Sequence, residues 1–310
     1  MDGTGFEKFQ QSVLVRVPAG ATKERLTNVL QAVLNHHDVL RASLIGAVGD
    51  RSLHIAEPGA VRAADRLARV DVSGLDDAAL RTAVTAGLHE AQELLDPSAG
   101  VMVRAVWFDA GTFTPGRLLL VLHHLVVDGV SWRILLPDLA TAWEAVTAGR
   151  PITLPTTGTS FRRWAHLLTE EAQNPTRVKE LPLWEKVLQE PEPLLGARQL
   201  DPARDTLGSA TSLSWTLSTE QTTPLLTRVP SLYFCGVNDV LLTGLALAFG
   251  QWRSSRGADS DRSLLVDLEG HGRQDITDDV ELSRTAGWFT NIYPARLDAG
   301  SIKDGPSATH

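Results

Sequence analysis

Two kinds of hydrophobic pattern alternate along the first half of the chain. Apolar residues at every second position, such as Val13, Val15 and Val17, predict a half-buried strand. Apolar residues spaced three and four apart predict helices that bury one face. The elements predicted in this way are a strand at 13–17, a helix at 26–40, a helix at 80–95 and a strand at 101–107. Strands alternating with helices predict an α/β (α+β) fold.

A continuous apolar run follows at Leu118–Leu122 and predicts a strand that is buried on both faces. It leads directly into a polar stretch, His123–Trp132, with a glycine at 129. A helical stripe comes next and contains Leu135, Leu139, Trp143 and Val146. The expected arrangement is therefore a strand, a polar turn and a helix.

The periodicity weakens between residues 147 and 209, where seven prolines indicate a linker that carries short helices, one of them at Phe161–Glu171. Beyond it, the pattern predicts a strand at Ser212–Leu217, a helix capped by Asn238 and a strand at Ser263–Leu268. The chain is thus expected to form two α/β lobes joined by a proline-marked crossover.

Composition narrows the class of protein. The chain has 310 residues, 43% of them hydrophobic and 21% charged, which is typical of folded globular proteins. A net charge of −8 argues against a nucleic-acid-binding protein. The single cysteine, Cys235, excludes an intrachain disulfide and a cysteine-based metal cage. With no signal peptide at Met1–Lys8 and no apolar run of about 20 residues, a soluble cytoplasmic protein is expected.

The polar stretch at the end of the buried run holds the first candidate chemistry. Neighbouring strand side chains point to opposite faces, so His123 and His124 cannot have the same role. Asp128 lies where the strand turns, and we expect it to hold the turn. Histidine is a natural acid or base near neutral pH, although a hydrogen-bonded core histidine is the alternative. Metal binding is not favoured, because adjacent strand histidines diverge.

A second histidine pair, His36-His37, precedes Asp38 within the predicted helix. His37 falls on the apolar face of that helix, so structural packing is the favoured interpretation.

Two later stretches add ionisable and aromatic residues. Asp267, Glu269, His271 and Arg273 lie within seven residues and alternate with two glycines. This predicts a shaped loop, although charged loops are usually only solvated. The stretch Ser283–Pro294 contains several aromatic residues and, taken alone, predicts a buried strand with a glycine bulge.

In this order, the three stretches resemble the epimerization domains of nonribosomal peptide synthetases, which belong to the condensation-domain superfamily. His123–Trp132 resembles the HHxxxDG motif with its Val-Ser-Trp continuation, Leu268–Arg273 resembles EGHGR, and Arg284–Pro294 resembles RTxGWFTxxxP. His36–Arg41 is similar to an HHDxLR element, and Thr159–Trp164 to a stretch of the crossover.

The resemblance implies two chloramphenicol-acetyltransferase-like lobes with a tunnel between them, the second lobe incomplete and family motifs missing at both ends of the chain. The implied division is an N-terminal lobe at 1–165, a crossover at 166–208 and a partial C-terminal lobe at 209–310. His124 and Glu269 would be catalytic. The residues implied to have supporting roles are His123, Asp128, Gly129, Ser131, Trp132, Gly270, His271 and Arg273.

The implied reaction is epimerisation at Cα of an L-aminoacyl or peptidyl thioester. The substrate would hang on the 4'-phosphopantetheine of a peptidyl carrier domain, and no directly bound cofactor or metal is expected. The partners would be that carrier and the neighbouring synthetase modules, with no nucleic acid or membrane. One alternative is an amide-forming condensation domain, which generally lacks the glutamate at 269. Another is an inactive interaction module.

Overall fold

The structure is a computed structural model, and it describes residues 6–47, 49–189, 194–196, 198–257, 263–274 and 276–298. The chain forms two compact units. The first contains Met1–Asn174 and His271–Asn291, and the second contains Pro175–Gly270 and Ile292–His310. The predicted three-part division remains a prediction about domain organisation. The units interleave along the chain, because His271–Asn291 packs with the first unit rather than with the residues that precede it.

A four-stranded sheet forms the centre of the first unit. Its strands and helices are β1 (Gln10–Val17), α1 (Lys23–His36), β2 (Ala42–Ile45), β3 (Ser52–Ile55), β4 (Leu67–Asp71), α2 (Asp77–Glu93), β5 (Val103–Asp109), β6 (Gly116–His123), α3 (Gly129–Thr147) and α4 (Phe161–Glu171). The strand order is β1-β6-β5-β4, with β4 parallel to β5 and the other neighbours antiparallel. Short 3-10 turns occupy Phe6–Lys8, Asp38–Arg41, Ala63–Asp65 and His124–Val126.

The apolar run in β6 is buried on both faces, as predicted. Leu118, Leu120 and Leu122 pack into a core cluster with α1 and α3. Leu119 and Val121 point the other way and join a second cluster beneath α2. Successive strand residues alternate between faces, so a strand with helices on both sides must be apolar throughout. This placement of β6 carries the polar residues that follow it to the edge of the core.

Most of the predicted elements of the first unit are confirmed, with one shift. The first helix ends at His36 rather than near Leu40, because His37 leaves the helical region with φ −93° and ψ 102°. The chain then makes a 3-10 turn and enters β2.

The second unit consists mainly of helices. Its elements are α5 (Pro175–Val178), α6 (Leu181–Gln189), a 3-10 turn (Leu207–Ser209), α7 (Thr219–Leu226), α8 (Arg228–Tyr233), α9 (Val237–Ser254), β7 (Leu264–Gly270) and β8 (Asn291–Leu297). The last two pair in a two-stranded sheet. Within the described ranges no single helix is long and apolar enough to cross a membrane. Two helical segments, Thr219–Tyr233 and Val237–Ser254, are long and apolar enough only when they are counted together, and the chain bends by 102° between them.

Three sequence-based predictions for the later part of the chain are wrong. Ser212–Leu217 is not a strand: all six residues are exposed, and no described strand pairs with them. The cap of α9 is Gly236, whose N–H donates to the Asp239 carboxylate, so Asn238 lies inside the helix. Most of Ser283–Pro294 is irregular, and β8 begins only at Asn291. In the irregular part, the backbone N–H groups of Gly287 and Phe289 donate to side chains at the start of α3 instead of to a neighbouring strand.

Replacing Phe108 with alanine should destabilise the first unit by about 3–5 kcal/mol, because it empties a fully buried site. At Gly87 of α2, a Cβ atom would lie 2.8 Å from Phe108 Cζ, which shows how closely the helix packs there. Hydrogen exchange of the β5 and β6 amides would report the change. Phe113→Ala is the matched control, since Phe113 is 95% exposed and its loss should cost within about 0.5 kcal/mol. Equal effects of the two substitutions would contradict the described core.

Candidate active site

The turn between β6 and α3 gives the two adjacent histidines different surroundings. His123 is completely buried, and its Nδ1 accepts a hydrogen bond from the backbone N–H of Leu125 at 3.2 Å. His124 begins the 3-10 turn, is half-buried, and donates its own backbone N–H to the carbonyl of Phe9. As the sequence predicted, one ring packs in the core and the other lies at its margin.

Asp128 holds the turn. It is the N-cap of α3 and forms a reciprocal capping box: its carboxylate accepts from the Ser131 N–H at 2.7 Å, and Ser131 Oγ accepts from the Asp128 N–H at 3.3 Å. Such caps satisfy N–H groups that the first turn of a helix leaves without partners. Gly129 is the first residue of α3, and no described atom lies within 4 Å of where its Cβ would be, so no close contact requires a glycine there.

A buried ion pair joins this turn to a stretch that is far away in sequence. Arg273 Nη1 donates to Asp128 Oδ2 at 2.6 Å, and Nη2 donates to Oδ1 at 3.0 Å. The same Nη2 lies 3.1 Å from Ser131 Oγ. The guanidinium group also lies 4.1 Å from the ring centroid of Phe289, a distance suited to a cation–π contact. The supporting role predicted for Asp128, Ser131 and Arg273 is consistent with these contacts.

Residues that follow Arg273 in the sequence form hydrogen bonds with the same helix cap. Gly287 N–H donates to Ser131 Oγ at 3.1 Å, and Phe289 N–H donates to Asp128 Oδ2 at 3.2 Å. Gly287 has φ +154° and lies so close to Phe161 that a Cβ atom would be 2.4 Å from its ring. At Gly272, with φ +67°, a Cβ atom would be 1.6 Å from the Phe289 carbonyl oxygen. Glycine is therefore required at both positions.

The electrostatics of the cluster keep Asp128 ionised. Burial alone would raise the pKa of its carboxyl group. The hydrogen bonds from Arg273 and Ser131 outweigh burial and hold the pKa below its ordinary value of 3.8. Asp128 is thus committed to a guanidinium, a hydroxyl and two backbone N–H groups, and it has no role as a proton carrier.

His124, in contrast, is surrounded by aromatic rings and one amide. Phe9 stacks on its imidazole with the ring centroids 4.6 Å apart and the planes 4° from parallel. Trp288 lies on another side at 4.5 Å. Gln11 Nε2 is 2.9 Å from His124 Nε2, and Gln11 Oε1 accepts from Trp132 Nε1–H at 2.8 Å. The half-buried imidazole is therefore held by two aromatic rings and, at Nε2, by one amide.

Sequence reasoning missed Phe9 and Gln11. Both come just before or within a strand whose only sequence signal is its alternating valines. The antiparallel register of β1 and β6, which sets Gln11 opposite Leu122, carries them to His124. Trp288 belongs to the aromatic stretch Ser283–Pro294, whose rings the sequence pattern assigns to the core.

The second candidate catalytic residue, Glu269, lies in β7 of the second unit and is exposed. Asp267 lies two residues earlier on the same strand and is also exposed. Gly270 ends the strand, and His271 Nδ1 accepts from the Arg273 backbone N–H at 3.1 Å. In the predicted EGHGR stretch, Glu269 thus lies at an exposed strand end, whereas Arg273 forms the buried ion pair with Asp128.

The other histidine pair packs as expected. His37 is 2% exposed, and its Nε2 lies 2.9 Å from Asp138 Oδ2. Arg284 pairs with the other carboxylate oxygen at 2.6 Å, and burial lowers the pKa of His37. His36 Nε2 donates to the Pro155 carbonyl at 2.8 Å. Potential ligand atoms of His36, His37 and Asp138 lie within 4.8 Å of one another, but Asp138 already contacts Arg284 through Oδ1 and His37 through Oδ2.

Comparison with known proteins identifies the family. The condensation-domain family profile matches residues 4–307, so the chain belongs to the condensation-domain family. One of the linear gramicidin synthase proteins of Brevibacillus parabrevis is 39% identical over 291 residues, which are 92% of this chain and 5% of that protein. Tyrocidine synthase 1 of the same organism is 32% identical over 93% of this chain and 25% of its own length. The chain therefore spans only a small part of these relatives.

Solved structures share the fold. The epimerization domain from the third module of tyrocidine synthetase B superposes with a TM-score of 0.78 at 28% identity, covering 96% of this chain and 64% of that one. The first condensation domain of the calcium-dependent antibiotic synthetase gives 0.67 at 18% identity, covering 96% and 65%. The predicted mixed α/β fold of this superfamily is confirmed.

Arg273→Ala should destabilise the first unit by about 3–5 kcal/mol, because it leaves the buried Asp128 carboxylate without its counter-charge. Arg69→Ala is the control within the same unit. Its guanidinium also pairs with a carboxylate, that of Asp109, but is 52% exposed, so its removal should cost no more than about 1 kcal/mol. Hydrogen exchange of the α3 amides measures both variants. If Arg273→Ala lowered the free energy of unfolding no more than Arg69→Ala does, the ion pair would not be what holds the turn.

Proposed function

We propose that this chain epimerises the Cα of an L-aminoacyl or peptidyl thioester bound to a peptidyl carrier domain of a nonribosomal peptide synthetase. The observation that carries the proposal is the greater likeness to a solved epimerization domain than to the condensation domain compared above. The glutamate of the EGHGR stretch supports the same choice, because condensation domains generally lack it. Relatives that are peptide synthases support the carrier domain and neighbouring modules as partners.

The chemistry needs a proton removed from one face of Cα and a proton returned to the other. A thioester acidifies the neighbouring C–H, and the electron pair moves into an enolate when the proton leaves. One acid–base group on each face completes the exchange without oxidation, reduction or a cofactor bound by this chain. In this proposal, His124 and Glu269 are the two groups, while Asp128 and Arg273 keep the histidine turn in place.

The phosphopantetheine arm enters as part of the substrate. The enolate oxygen needs a hydrogen-bond donor as charge develops on it. Protonated His124 or a backbone N–H of the turn would supply that donor.

A condensation reaction is the second candidate, because the HHxxxDG turn is common to both activities. Amide formation requires two carrier-bound substrates, whereas epimerisation requires one. A non-catalytic interaction module would bind carriers and exchange no proton. The number of loaded carriers that a reaction needs, and whether any proton is exchanged, therefore distinguish the three functions experimentally.

His124→Gln and Glu269→Gln should each slow Cα proton exchange by about 10²- to 10⁴-fold, as expected for loss of a general acid or base. The chain is incubated in D2O with a carrier loaded with an L-aminoacyl or short peptidyl thioester, and deuterium at Cα is measured by mass spectrometry. The tyrocidine synthetase epimerization domain serves as the positive control. Glu220→Gln and His54→Gln are the matched controls, since both residues are exposed and neither belongs to the proposed site.

Exchange that persists in His124→Gln or in Glu269→Gln would remove that residue from the mechanism. No exchange by the unaltered chain, together with amide formation when a second loaded carrier is supplied, would replace the epimerase proposal with a condensation function. Carrier binding without either reaction would favour the interaction module.

A further inference from the structure

The central sheet of the first unit ends at β1, and among the described strands β1 pairs only with β6. In an antiparallel pair, successive residues direct their backbone N–H and C=O groups alternately toward the partner strand and away from it. His124 donates its backbone N–H to the Phe9 carbonyl, so the odd-numbered residues of β1 are the ones that bond to β6. The even-numbered residues direct their backbone groups outward and form the outer edge of β1: Gln10, Ser12, Leu14 and Arg16.

The outer edge of β1 is open to a further strand. Edge strands of natural proteins are often kept from pairing by short length, proline or a bulge. β1 has eight residues, contains no proline, and keeps an unbroken register with β6. Ser12, Leu14 and Arg16 are exposed, Leu14 by 42%. The strand at the other end of the sheet, β4, has only five residues. A strand added to this sheet would therefore find its longer ladder at β1.

On one face of the sheet, an added strand would meet an apolar groove. The groove has a volume of about 320 Å³ and lies between β1 and α3, where Val15 and Val17 face Leu139 and Trp143. Glu144 also lines the groove and is exposed. Apolar side chains of an added strand would fill this groove, whereas acidic ones would be repelled by Glu144.

On the opposite face, an added strand would meet two arginines. Side chains alternate along a strand, so Arg16 points away from the face that Val15 and Val17 share. Arg16 is the direct cross-strand partner of Arg117. Like charges placed opposite each other destabilise a sheet. Within the described ranges, no acidic side chain forms an ion pair with either arginine. An acidic residue on an added strand would supply the missing counter-charge.

We propose that the outer edge of β1 binds an extended segment of a partner polypeptide in which acidic residues alternate with apolar ones. Backbone hydrogen bonds to β1 give such a complex its affinity, and the alternating side chains give it specificity. The apolar residues enter the groove, and an acidic residue faces Arg16. A second copy of this chain fits less well, because β1 has no acidic residue and would bring another arginine instead. The proposal goes beyond the epimerase function and does not depend on it.

The first test is binding of a fluorescein-labelled nine-residue peptide in which valine alternates with glutamate, followed by fluorescence anisotropy with the full chain. A peptide in which lysine replaces glutamate should bind about 3- to 30-fold more weakly, because a cross-strand attraction becomes a repulsion. Arg16→Glu should reverse this preference. Arg51→Glu is the matched control, since Arg51 is exposed and precedes β3, away from the groove.

Backbone pairing is tested separately from charge. The Leu14 N–H points away from β6, so Leu14→Pro removes a donor from the outer edge without removing a bond to β6, and it should abolish peptide binding. In the unaltered chain, the bound peptide should slow hydrogen exchange at the amides of Ser12, Leu14 and Arg16. The amides of Val13 and Val15 already bond to β6 and should change little. Even if Leu14→Pro fails to fold, this exchange pattern and the reversal in Arg16→Glu decide the matter.

Three results would overturn the proposal. The first is that the glutamate peptide does not bind. The second is binding that leaves the outward-facing amides unchanged or that Arg16→Glu does not affect. The third is a dimer of the unaltered chain, detected by sedimentation without peptide, in which the same outward-facing amides are already protected. That dimer would assign the outer edge of β1 to a second copy of the chain.

Discussion

The buried ion pair between Asp128 and Arg273 holds together the part of the molecule in which the chemistry is proposed. Asp128 caps the helix that follows the histidine turn, and Arg273 begins the stretch that packs over that cap. Both side chains are at most 7% exposed. A buried charge is tolerated only where a partner and hydrogen bonds compensate for lost hydration. The cluster provides them through Ser131 and the backbone N–H groups of Gly287 and Phe289.

That geometry determines what surrounds His124. The imidazole is held by rings from two distant segments, Phe9 ahead of β1 and Trp288 after the ion pair, and by the amide of Gln11. Each contact has a separate physical function. The rings restrict the plane of the imidazole, the amide forms a hydrogen bond with Nε2, and the ion pair joins the histidine turn to the stretch that carries Trp288. Proton transfer depends on both distance and direction, so these contacts bear directly on the role proposed for His124.

Hydrophobic periodicity predicted the central layers of the first unit correctly. A continuous apolar strand such as Leu118–Leu122 has few alternatives when helices flank it on both sides. The exposed stretch Ser212–Leu217 shows where the method fails, because an alternating pattern predicts a strand only if another strand pairs with it. Gln11 was missed for a related reason. It lies 113 residues from His124, and only strand register brings the two together.

The central claim is that this chain interconverts the two configurations at one carbon, and approach to equilibrium from both sides tests it most directly. A carrier loaded with the L-aminoacyl or L-peptidyl thioester and a carrier loaded with the D-isomer are incubated separately with the chain. The D/L ratio of each is followed to a constant value. The account predicts that both reach the same ratio. Starting materials that keep their configuration, while a second loaded carrier yields an amide, would contradict it.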